Sequence, residues 1–239
     1  LMESMTKSIY MGGLHYNTTM NKLLNIVTKL HTSTKRNYLE RMIDSKVDCM
    51  KKAREFGFDF FDGDRRFGYG GYNYDGRWKV VAEDLIKEYD LKDGCRILDV
   101  GCAKGFLLYE FKKIFPNSII VGFDISKYAV LNAMKDVKDH LFYHKAQDEF
   151  PFSDNDFDLV VSINAIHNLP IHKLKNPITE IERVGVDKFI LVEGYRNENE
   201  LFNLQCWSLS GDSHLRPEEW LWMYKEWGYT GDYEFIYFE

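Results

Sequence analysis

The sequence predicts an α/β fold, a doubly wound, mostly parallel sheet preceded by an N-terminal helical extension. Short apolar segments alternate with helical segments between residues 96 and 193. The apolar segments are hydrophobic almost throughout, as expected for strands that helices cover on both faces of a parallel sheet. The first of them, Arg96–Val100, leads into Gly101 and a helical segment, a turn typical of the ligand-binding edge of such a sheet.

The individual elements follow from hydrophobic spacing and from turn residues. The N-terminal part contains an irregular segment at 1–31, a helical pattern at 34–56, a glycine- and aromatic-rich loop at 57–76 and a helix at 77–88. The middle alternates strands at 96–100, 118–123, 141–144, 157–163 and 188–193 with helices at 106–115, 127–137 and 171–183. The last elements are a helix over 217–227, which Pro217 opens, and a strand within 228–239.

The composition disfavours several classes of protein. The formal net charge of −6 disfavours binding to a nucleic acid backbone. The basic stretch at 29–52 is interleaved with carboxylates, and we interpret it as a solvated helix face. No apolar run reaches the roughly 18 residues that span a bilayer, and the first residues lack a signal-peptide core. We therefore expect a cytoplasmic protein with no membrane or nucleic acid partner.

The four cysteines do not predict a metal site. None of them forms a C-x-x-C pair, so the spacing of a structural zinc site is absent and we expect no bound metal. Free thiols in a reducing compartment are the simplest interpretation of Cys49, Cys95, Cys102 and Cys206.

The most informative segment is residues 99–105, Asp-Val-Gly-Cys-Ala-Lys-Gly, between a strand and a helix. A P-loop would need a lysine after its last glycine, but Phe106 follows Gly105. A nicotinamide-binding loop would need the spacing G-x-G-x-x-G, which is not present. An acidic residue followed by G-x-G-x-G is typical of S-adenosylmethionine-binding loops, and here Ala103 occupies the position of the middle glycine.

Asp124 ends the second predicted strand, about 20 residues after the glycine loop. A carboxylate in this position can accept hydrogen bonds from both hydroxyls of a ribose. Enzymes that bind NAD share this feature, so the loop and Asp124 together indicate a nucleoside cofactor without choosing between the two classes.

The third and fourth strands carry a more specific series. Residues 146–152, 156–162 and 166–169 read Ala-Gln-Asp-Glu-Phe-Pro-Phe, Asp-Phe-Asp-Leu-Val-Val-Ser and Ile-His-Asn-Leu. With the glycine loop and Asp124, this series resembles the class I, Rossmann-like S-adenosylmethionine-dependent methyltransferases from about residue 96 to residue 193. Segments 61–78 and 228–236 also resemble a bacterial methyltransferase group often found with surface-polysaccharide genes. The sequence departs from that group at Ala103 and at 207–212.

The resemblance implies which residues bind the cofactor. Gly101 and Ala103 would line its methionine end, Asp124 would hold the ribose, and Gly105 would let the following helix pack closely. Arg77 could pair with the cofactor carboxylate or with an anionic substrate group. The complete set of expected cofactor-binding residues is Arg77, Asp99, Gly101, Ala103, Gly105, Asp124, Ile125, Ala146, Gln147 and Asn164.

Two residues are candidates for a general base, which an oxygen or nitrogen acceptor often needs. His167 follows the fourth strand, and Glu193 ends the fifth. A purely structural role remains open for both. The candidates for substrate contacts are Tyr69, Tyr74, Arg196 and His214.

We therefore expect methyl transfer from S-adenosylmethionine to an oxygen or nitrogen atom of a small molecule or of a sugar or glycoconjugate precursor. Two alternatives remain open, an NAD-dependent oxidoreductase on a similar fold and a non-catalytic cofactor-binding module. We expect residues 1–76 to form a helical, aromatic extension and lid, and residues 77–239 to form the methyltransferase domain. The family's sheet usually has seven strands with the last antiparallel, and the sequence leaves room for one strand after Trp227.

Overall fold

The computed structural model describes residues 21–32, 34 and 36–239. In that part of the chain six strands form one sheet in the order β3-β2-β1-β4-β5-β6, and each neighbouring pair is parallel. The strands are β1 Arg96–Val100, β2 Ile119–Asp124, β3 Leu141–Tyr143, β4 Phe157–Ile163, β5 Gly185–Glu193 and β6 Asp232–Ile236. The predicted fold class is confirmed.

Helices precede the sheet and connect its strands. They are α1 Thr28–Thr32, α2 Tyr38–Ile43, α3 Lys46–Ala53, α4 Phe58–Phe61, α5 Trp78–Glu88, α6 Phe106–Ile114, α7 Lys127–Leu131, α8 Lys175–Val184, α9 Glu198–Trp207 and α10 Pro217–Glu226. No helix among the described residues is both long and apolar enough to cross a membrane. All four cysteines are buried and free.

The strand order places a topological switch point between β1 and β4. The chain builds β1, β2 and β3 outward in one direction and then returns to add β4 on the other side of β1. Leu98 of β1 lies opposite Val121 of β2 and Val160 of β4. Ligands of open α/β sheets bind outside the carboxyl ends of the strands at such a point.

Two hydrophobic clusters cover the two faces of the sheet. Ile97 and Leu98 are adjacent in β1 and fully buried, yet they belong to different clusters because successive side chains of a strand point to opposite faces. Leu108 of α6 packs in the cluster of Ile97, and Trp220 of α10 packs in that of Leu98. Burial on both faces explains why the strands are apolar without alternation.

Some elements differ from the predictions. The helix predicted over 127–137 ends at Leu131, and the chain then turns so that the Met134 amide donates to the Lys104 carbonyl oxygen in the glycine loop. Helix α9 was not predicted. Its first turn is capped by Asn197, whose side chain accepts from the Glu200 amide. The irregular pattern predicted for residues 1–20 lies outside the described residues.

The edge of the sheet also differs from the seven-stranded family pattern. β6 pairs parallel with β5, and beyond it Leu23 forms an isolated parallel bridge with Tyr233. The amide of Leu24 donates to the Tyr233 carbonyl oxygen, and the amide of Tyr233 donates to that of Lys22. In the described part of the chain, therefore, the N-terminal segment lies beside β6.

A buried carboxylate fixes this N-terminal segment. Glu234 of β6 is 1% exposed and accepts hydrogen bonds from the amides of Ile26, Val27 and Thr28 at 2.8, 3.0 and 2.6 Å. Ile26 and Val27 pack in the hydrophobic cluster that contains Ile97, together with residues of α5 and α6. The extension thus shares a core with the sheet, and the domain boundary expected at residue 76 stays a prediction.

The glycine loop after β1 has three residues with positive φ. Gly101, Ala103 and Gly105 have φ values of 85°, 48° and 76°. A Cβ at Gly101 would overlap Ala165, and a Cβ at Gly105 would lie 2.8 Å from Leu141 Cδ1. Ala103 is the member that carries a side chain in the left-handed region, where L-residues are strained by roughly 1–2 kcal/mol.

We expect opposite stability effects from two substitutions in this loop. Gly105→Ala should lower the free energy of unfolding by about 1–3 kcal/mol, because it adds left-handed strain and a steric overlap. Ala103→Gly should raise it by up to about 1 kcal/mol, because relief of strain exceeds the entropy gained by the unfolded chain. Chemical denaturation measures both values. A loss of more than about 1 kcal/mol in Ala103→Gly would contradict the strain argument.

Candidate active site

A cavity of about 580 Å³ lies where the carboxyl ends of the central strands converge. We call it the central cavity. Asp99, Asp124 and Glu193 line it from the strand ends, and residues of the extension also line it. Its volume is in the range of small-molecule sites, roughly 300–1,000 Å³.

Hydrogen bonds join the glycine loop directly to the end of β2. The amide of Gly101 donates to the Phe123 carbonyl oxygen at 2.9 Å, and the amide of Ala103 donates to Asp124 Oδ2 at 2.8 Å. The other carboxylate oxygen of Asp124 accepts from the Ser126 amide at 2.7 Å. The glycine bend and Asp124 therefore lie side by side at the cavity, as the expected nucleoside site requires.

Two carboxyl groups at this edge are buried. Burial raises the pKa of Asp124, although the two backbone amides oppose this shift. Burial, and secondarily the charge of Asp124, raises the pKa of Asp99 to about 7. Buried carboxylates are stabilised by hydrogen-bond donors and by cations. A ligand with ribose hydroxyls and positively charged groups, such as S-adenosylmethionine, has both.

Further polar atoms in the cavity lack partners within the described part of the chain. Gln147 Oε1 and Asn164 Oδ1 are buried without a hydrogen bond. Asn164 has a φ of 53°, and its amide donates to the Leu191 carbonyl oxygen. Because buried polar atoms are almost always hydrogen-bonded in folded proteins, these atoms fit a polar ligand in the cavity. Ile125 and Ala146 line the cavity with them.

His167 and Glu193 form a pair at the cavity wall. His167 lies in a short 3₁₀ turn after β4, and its Nε2 atom is 3.5 Å from Glu193 Oε2. Burial, with a smaller effect of His214, lowers the pKa of His167 to about 3. Burial raises the pKa of Glu193 to about 7. At neutral pH the imidazole is therefore uncharged, and among the described residues its Nδ1 atom has no hydrogen-bond partner.

An ion pair holds the glycine- and aromatic-rich segment 57–76 of the extension, which we call the aromatic loop, against the glycine loop. Lys104 Nζ is 2.7 Å from both carboxylate oxygens of Asp62, which also accepts from the Tyr128 hydroxyl at 2.6 Å. Although burial raises the pKa of Asp62, the hydrogen bonds from Lys104 and Tyr128 lower it below the usual value. Tyr72 stacks on Phe106 with ring centroids 4.8 Å apart. The aromatic loop is thus ordered by specific contacts.

The structure brings most of the expected site residues together. The residues that line the central cavity are Tyr69, Arg77, Asp99, Gly101, Ala103, Asp124, Ile125, Ala146, Gln147, Asn164, His167 and Glu193. Arg77 is exposed and pairs with Asp75 at 2.5 Å. Gly105 does not line the cavity and precedes α6 as its N-cap.

Three expected substrate residues lie elsewhere. Tyr74 donates a short hydrogen bond to Glu110 on α6. Arg196 pairs with Glu200 and Glu239, and its guanidinium lies over a tyrosine ring. His214 lies near His167 but does not line the cavity. Carboxylates outside the lining of the cavity bind the polar ends of Tyr74 and Arg196. Substrate contacts at these three positions stay a prediction.

The cavity also has a basic wall that the sequence did not predict. Arg36, Arg41 and Arg65 line it together with Trp207. The stretch 29–52 is therefore not only a solvated helix face. Two of these arginines lie in it and are brought to the cavity by packing of α2 against α9. Nothing in the local spacing identifies them, because the contact joins segments far apart in the chain.

The known proteins that this sequence resembles are methyltransferases. A family model described as "Methyltransferase domain" matches residues 91–228. A sterol 24-C-methyltransferase of Gibberella zeae is 30% identical over 149 residues, which cover 56% of this chain and 38% of that protein. A malonyl-[acyl-carrier protein] O-methyltransferase of Bacillus anthracis is 24% identical over 144 residues, which cover 56% of this chain and 52% of that protein. The matches thus span about half or less of these relatives.

Two solved structures share the fold. The YcgJ protein from Bacillus subtilis has a TM-score of 0.51 and 19% identity, covering 61% of this chain and 66% of that one. A SAM-dependent methyltransferase from Archaeoglobus fulgidus has a TM-score of 0.50 and 18% identity, covering 63% and 68%. The family match covers more than half of the chain. It excludes the alternative of an NAD-dependent oxidoreductase. The chain belongs to the class I methyltransferases, enzymes with a Rossmann-like fold that use S-adenosylmethionine as methyl donor.

Proposed function

We propose that the enzyme methylates an oxygen or nitrogen atom of a small polar molecule, a sugar or a glycoconjugate precursor. The observation that carries this proposal is the pair formed by His167 and Glu193 at the wall of the cavity. An oxygen or nitrogen acceptor loses a proton when it is methylated, so a base in the cavity serves this class of acceptor.

The donor would occupy the strand-end side of the cavity. Asp124 would accept hydrogen bonds from its ribose, with Ile125, Ala146 and Gln147 near the adenine. The backbone at Gly101 and Ala103 would border its methionine end. S-adenosylmethionine supplies a methyl group that a sulfonium has already activated. The protein therefore contributes mainly by holding the acceptor in line and by taking its proton.

His167 is the group we propose as the base. When its Nε2–H faces an ionised Glu193, its Nδ1 atom is a free acceptor, and no described residue occupies it. The negative charge of Glu193 would stabilise the imidazolium that forms when Nδ1 takes a proton, the role of a carboxylate behind a catalytic histidine. Because the pKa of Glu193 is about 7, this stabilisation develops as the pH rises through neutrality.

Three considerations favour a small polar acceptor. A sterol would need an apolar cavity, but three arginines, His167 and Glu193 line this one. The net charge of −6 disfavours an RNA acceptor. The resemblance of segments 61–78 and 228–236 to a group found with surface-polysaccharide genes supports a sugar. We also propose that the aromatic loop in the extension borders the acceptor.

We expect Asp124→Asn to weaken binding of S-adenosylhomocysteine at least about tenfold, because a charge-assisted hydrogen bond to the ribose would be lost. Isothermal titration calorimetry measures this affinity. Asp158→Asn is the matched control, since Asp158 accepts from the Arg96 amide at the amino ends of the strands, away from the cavity. Equal affinities in the two variants would show that Asp124 does not hold the cofactor.

Incubation with methyl-labelled S-adenosylmethionine and a panel of sugars, activated sugars and amines should give an O-methyl or N-methyl product. His167→Ala should lower kcat for that acceptor by about 10²- to 10⁴-fold, the usual contribution of a general base. Its affinity for S-adenosylhomocysteine should stay close to that of the wild type. Mass spectrometry locates the methyl group. Transfer to carbon, or full activity in His167→Ala, argues against the proposal.

Glu193→Gln should stabilise the protein more at high pH than at low pH. Because the pKa of Glu193 in the folded state lies above its ordinary value of 4.5, its contribution to stability is greatest below pH 4.5 and is lost as the pH rises to about 7. The advantage of the glutamine variant should therefore grow across this interval, to about 2–3 kcal/mol above pH 7.

Urea denaturation at several pH values measures this difference. Glu226→Gln, which removes an exposed carboxylate at the end of α10, is the control for loss of charge. A stability difference between wild type and Glu193→Gln that does not change with pH would show that burial does not raise the pKa of Glu193.

A further inference from the structure

Three arginines gather around one indole at the wall of the central cavity. Arg36 precedes α2, Arg41 lies in α2, and Arg65 follows α4. Their guanidinium carbons lie 5.3, 5.0 and 5.1 Å from the centroid of the Trp207 ring. We call these three residues the arginine cluster. Cation–π contacts with one ring hold the three positive charges close together.

Uncharged carbonyl groups orient the cluster. Arg36 Nη1 donates to the carbonyl oxygens of His31 and Thr34, both at 3.0 Å. Arg41 Nη1 donates to the Arg65 carbonyl oxygen at 2.6 Å, and Arg65 donates to that of Gly68. These contacts fix the positions of the guanidinium groups but supply no negative charge.

No carboxylate of a described residue forms an ion pair with the cluster. Nearby arginines outside the cavity differ in this respect. Arg54 pairs with Asp212 and Arg66 pairs with Asp44, each at 2.6 Å. Glu193 influences Arg36 electrostatically without contacting it. The cluster therefore carries an excess of positive charge into the cavity.

This arrangement is unfavourable without an anion. Burial, and secondarily the charge of Arg65, lowers the pKa of Arg41 to about 10. Burial also lowers the pKa of Arg36 and of Arg65. The Nε atoms of Arg36 and Arg41 are buried without a hydrogen-bond partner among the described residues. Buried charges in proteins are normally paired, so the geometry calls for an anionic ligand.

We propose that the arginine cluster binds a phosphate or diphosphate group on the methyl acceptor, so that the substrate is a phosphorylated or diphosphate-linked sugar or a similar small molecule. Three guanidinium groups match a multiply charged anion, and their planar N–H donors suit bidentate contacts to phosphate oxygens. A single carboxylate would compensate one of the three charges. This inference rests on the proposed function, because it names the acceptor that the His167–Glu193 pair would deprotonate.

The position of the cluster in the chain is consistent with a role in acceptor recognition. Residues 91–228 match the methyltransferase family, and this segment contains the glycine loop, Asp124, His167 and Glu193. The three arginines lie before residue 91. The donor site thus belongs to the shared domain, whereas the basic wall comes from the extension. Methyltransferases that share a donor and differ in acceptor would be expected to diverge in such an added segment.

The experiment uses the full chain saturated with S-adenosylhomocysteine and titrated by calorimetry at low ionic strength. The probes are inorganic phosphate, pyrophosphate and malonate. The wild type should bind pyrophosphate more tightly than either of the others. Arg36→Gln and Arg41→Gln should each weaken pyrophosphate binding at least about tenfold, because each removes a charge-assisted hydrogen bond.

Arg66→Gln is the matched control, since it removes the same charge beside Arg65 without changing the lining of the cavity. It should bind pyrophosphate as the wild type does, within about twofold. All variants should bind S-adenosylhomocysteine with wild-type affinity, which also shows that they are folded.

Four results would overturn the inference. The first three are the absence of pyrophosphate binding, equal losses in Arg41→Gln and Arg66→Gln, and malonate binding as tight as that of pyrophosphate. A parallel loss of S-adenosylhomocysteine affinity in Arg36→Gln and Arg41→Gln would assign the cluster to the carboxylate of the cofactor and would also overturn it. None of these measurements requires methyl transfer, so they are independent of whether the acceptor atom is oxygen or nitrogen.

Discussion

The hydrogen bond from the Ala103 amide to the Asp124 carboxylate connects the two turns on which the site is built. One turn follows β1 and the other follows β2, and the parallel register of these strands brings both turns to one edge of the sheet. The bond fixes the glycine loop relative to the carboxylate that would hold a ribose. The shape of the cavity at the strand ends depends on this spacing, and the proposed contacts of cofactor and acceptor would depend on it as well.

A second set of contacts closes the cavity from the other side. Glu234 anchors the N-terminal segment to β6, and Asp62 anchors the aromatic loop to Lys104 in the glycine loop. The extension is therefore attached at an edge of the sheet and at the glycine loop. Between these two anchors it brings Arg36 and Arg41 to the cavity. The glycine loop with Asp124 and the basic wall are made by different parts of the chain, and packing joins them.

The electrostatics of the cavity are unusual because groups of opposite charge share it without neutralising each other. Burial raises the pKa of Asp99 and of Glu193 to about 7, and it lowers the pKa of each member of the arginine cluster. Each shift records the cost of keeping a charge away from water. Such an arrangement suits a ligand pair of opposite charge, a cationic methyl donor at the strand ends and an anionic acceptor at the basic wall.

The sequence by itself determined the fold class, the strands of the sheet centre and the residues that line the cavity at the strand ends. These features are local. Apolar runs such as Phe157–Ile163 mark buried strands, and the residues around Gly101 and Asp124 lie at strand ends, where a parallel sheet collects them. For the same reason His167 and Glu193 could be named, because each follows or ends a strand.

Only the tertiary structure decided the basic wall of the cavity. Arg36 and Arg41 lie more than 160 positions before Trp207 and meet it because α2 packs against α9, a contact without any local pattern. Tyr74 and Arg196 are candidates for substrate contacts by residue type and position in the sequence. In the structure they bind nearby carboxylates and do not line the cavity. Local sequence specifies how the backbone turns and which residues end a strand. Which distant side chains share a cavity depends on packing between elements, and a single sequence does not carry that information in its spacing.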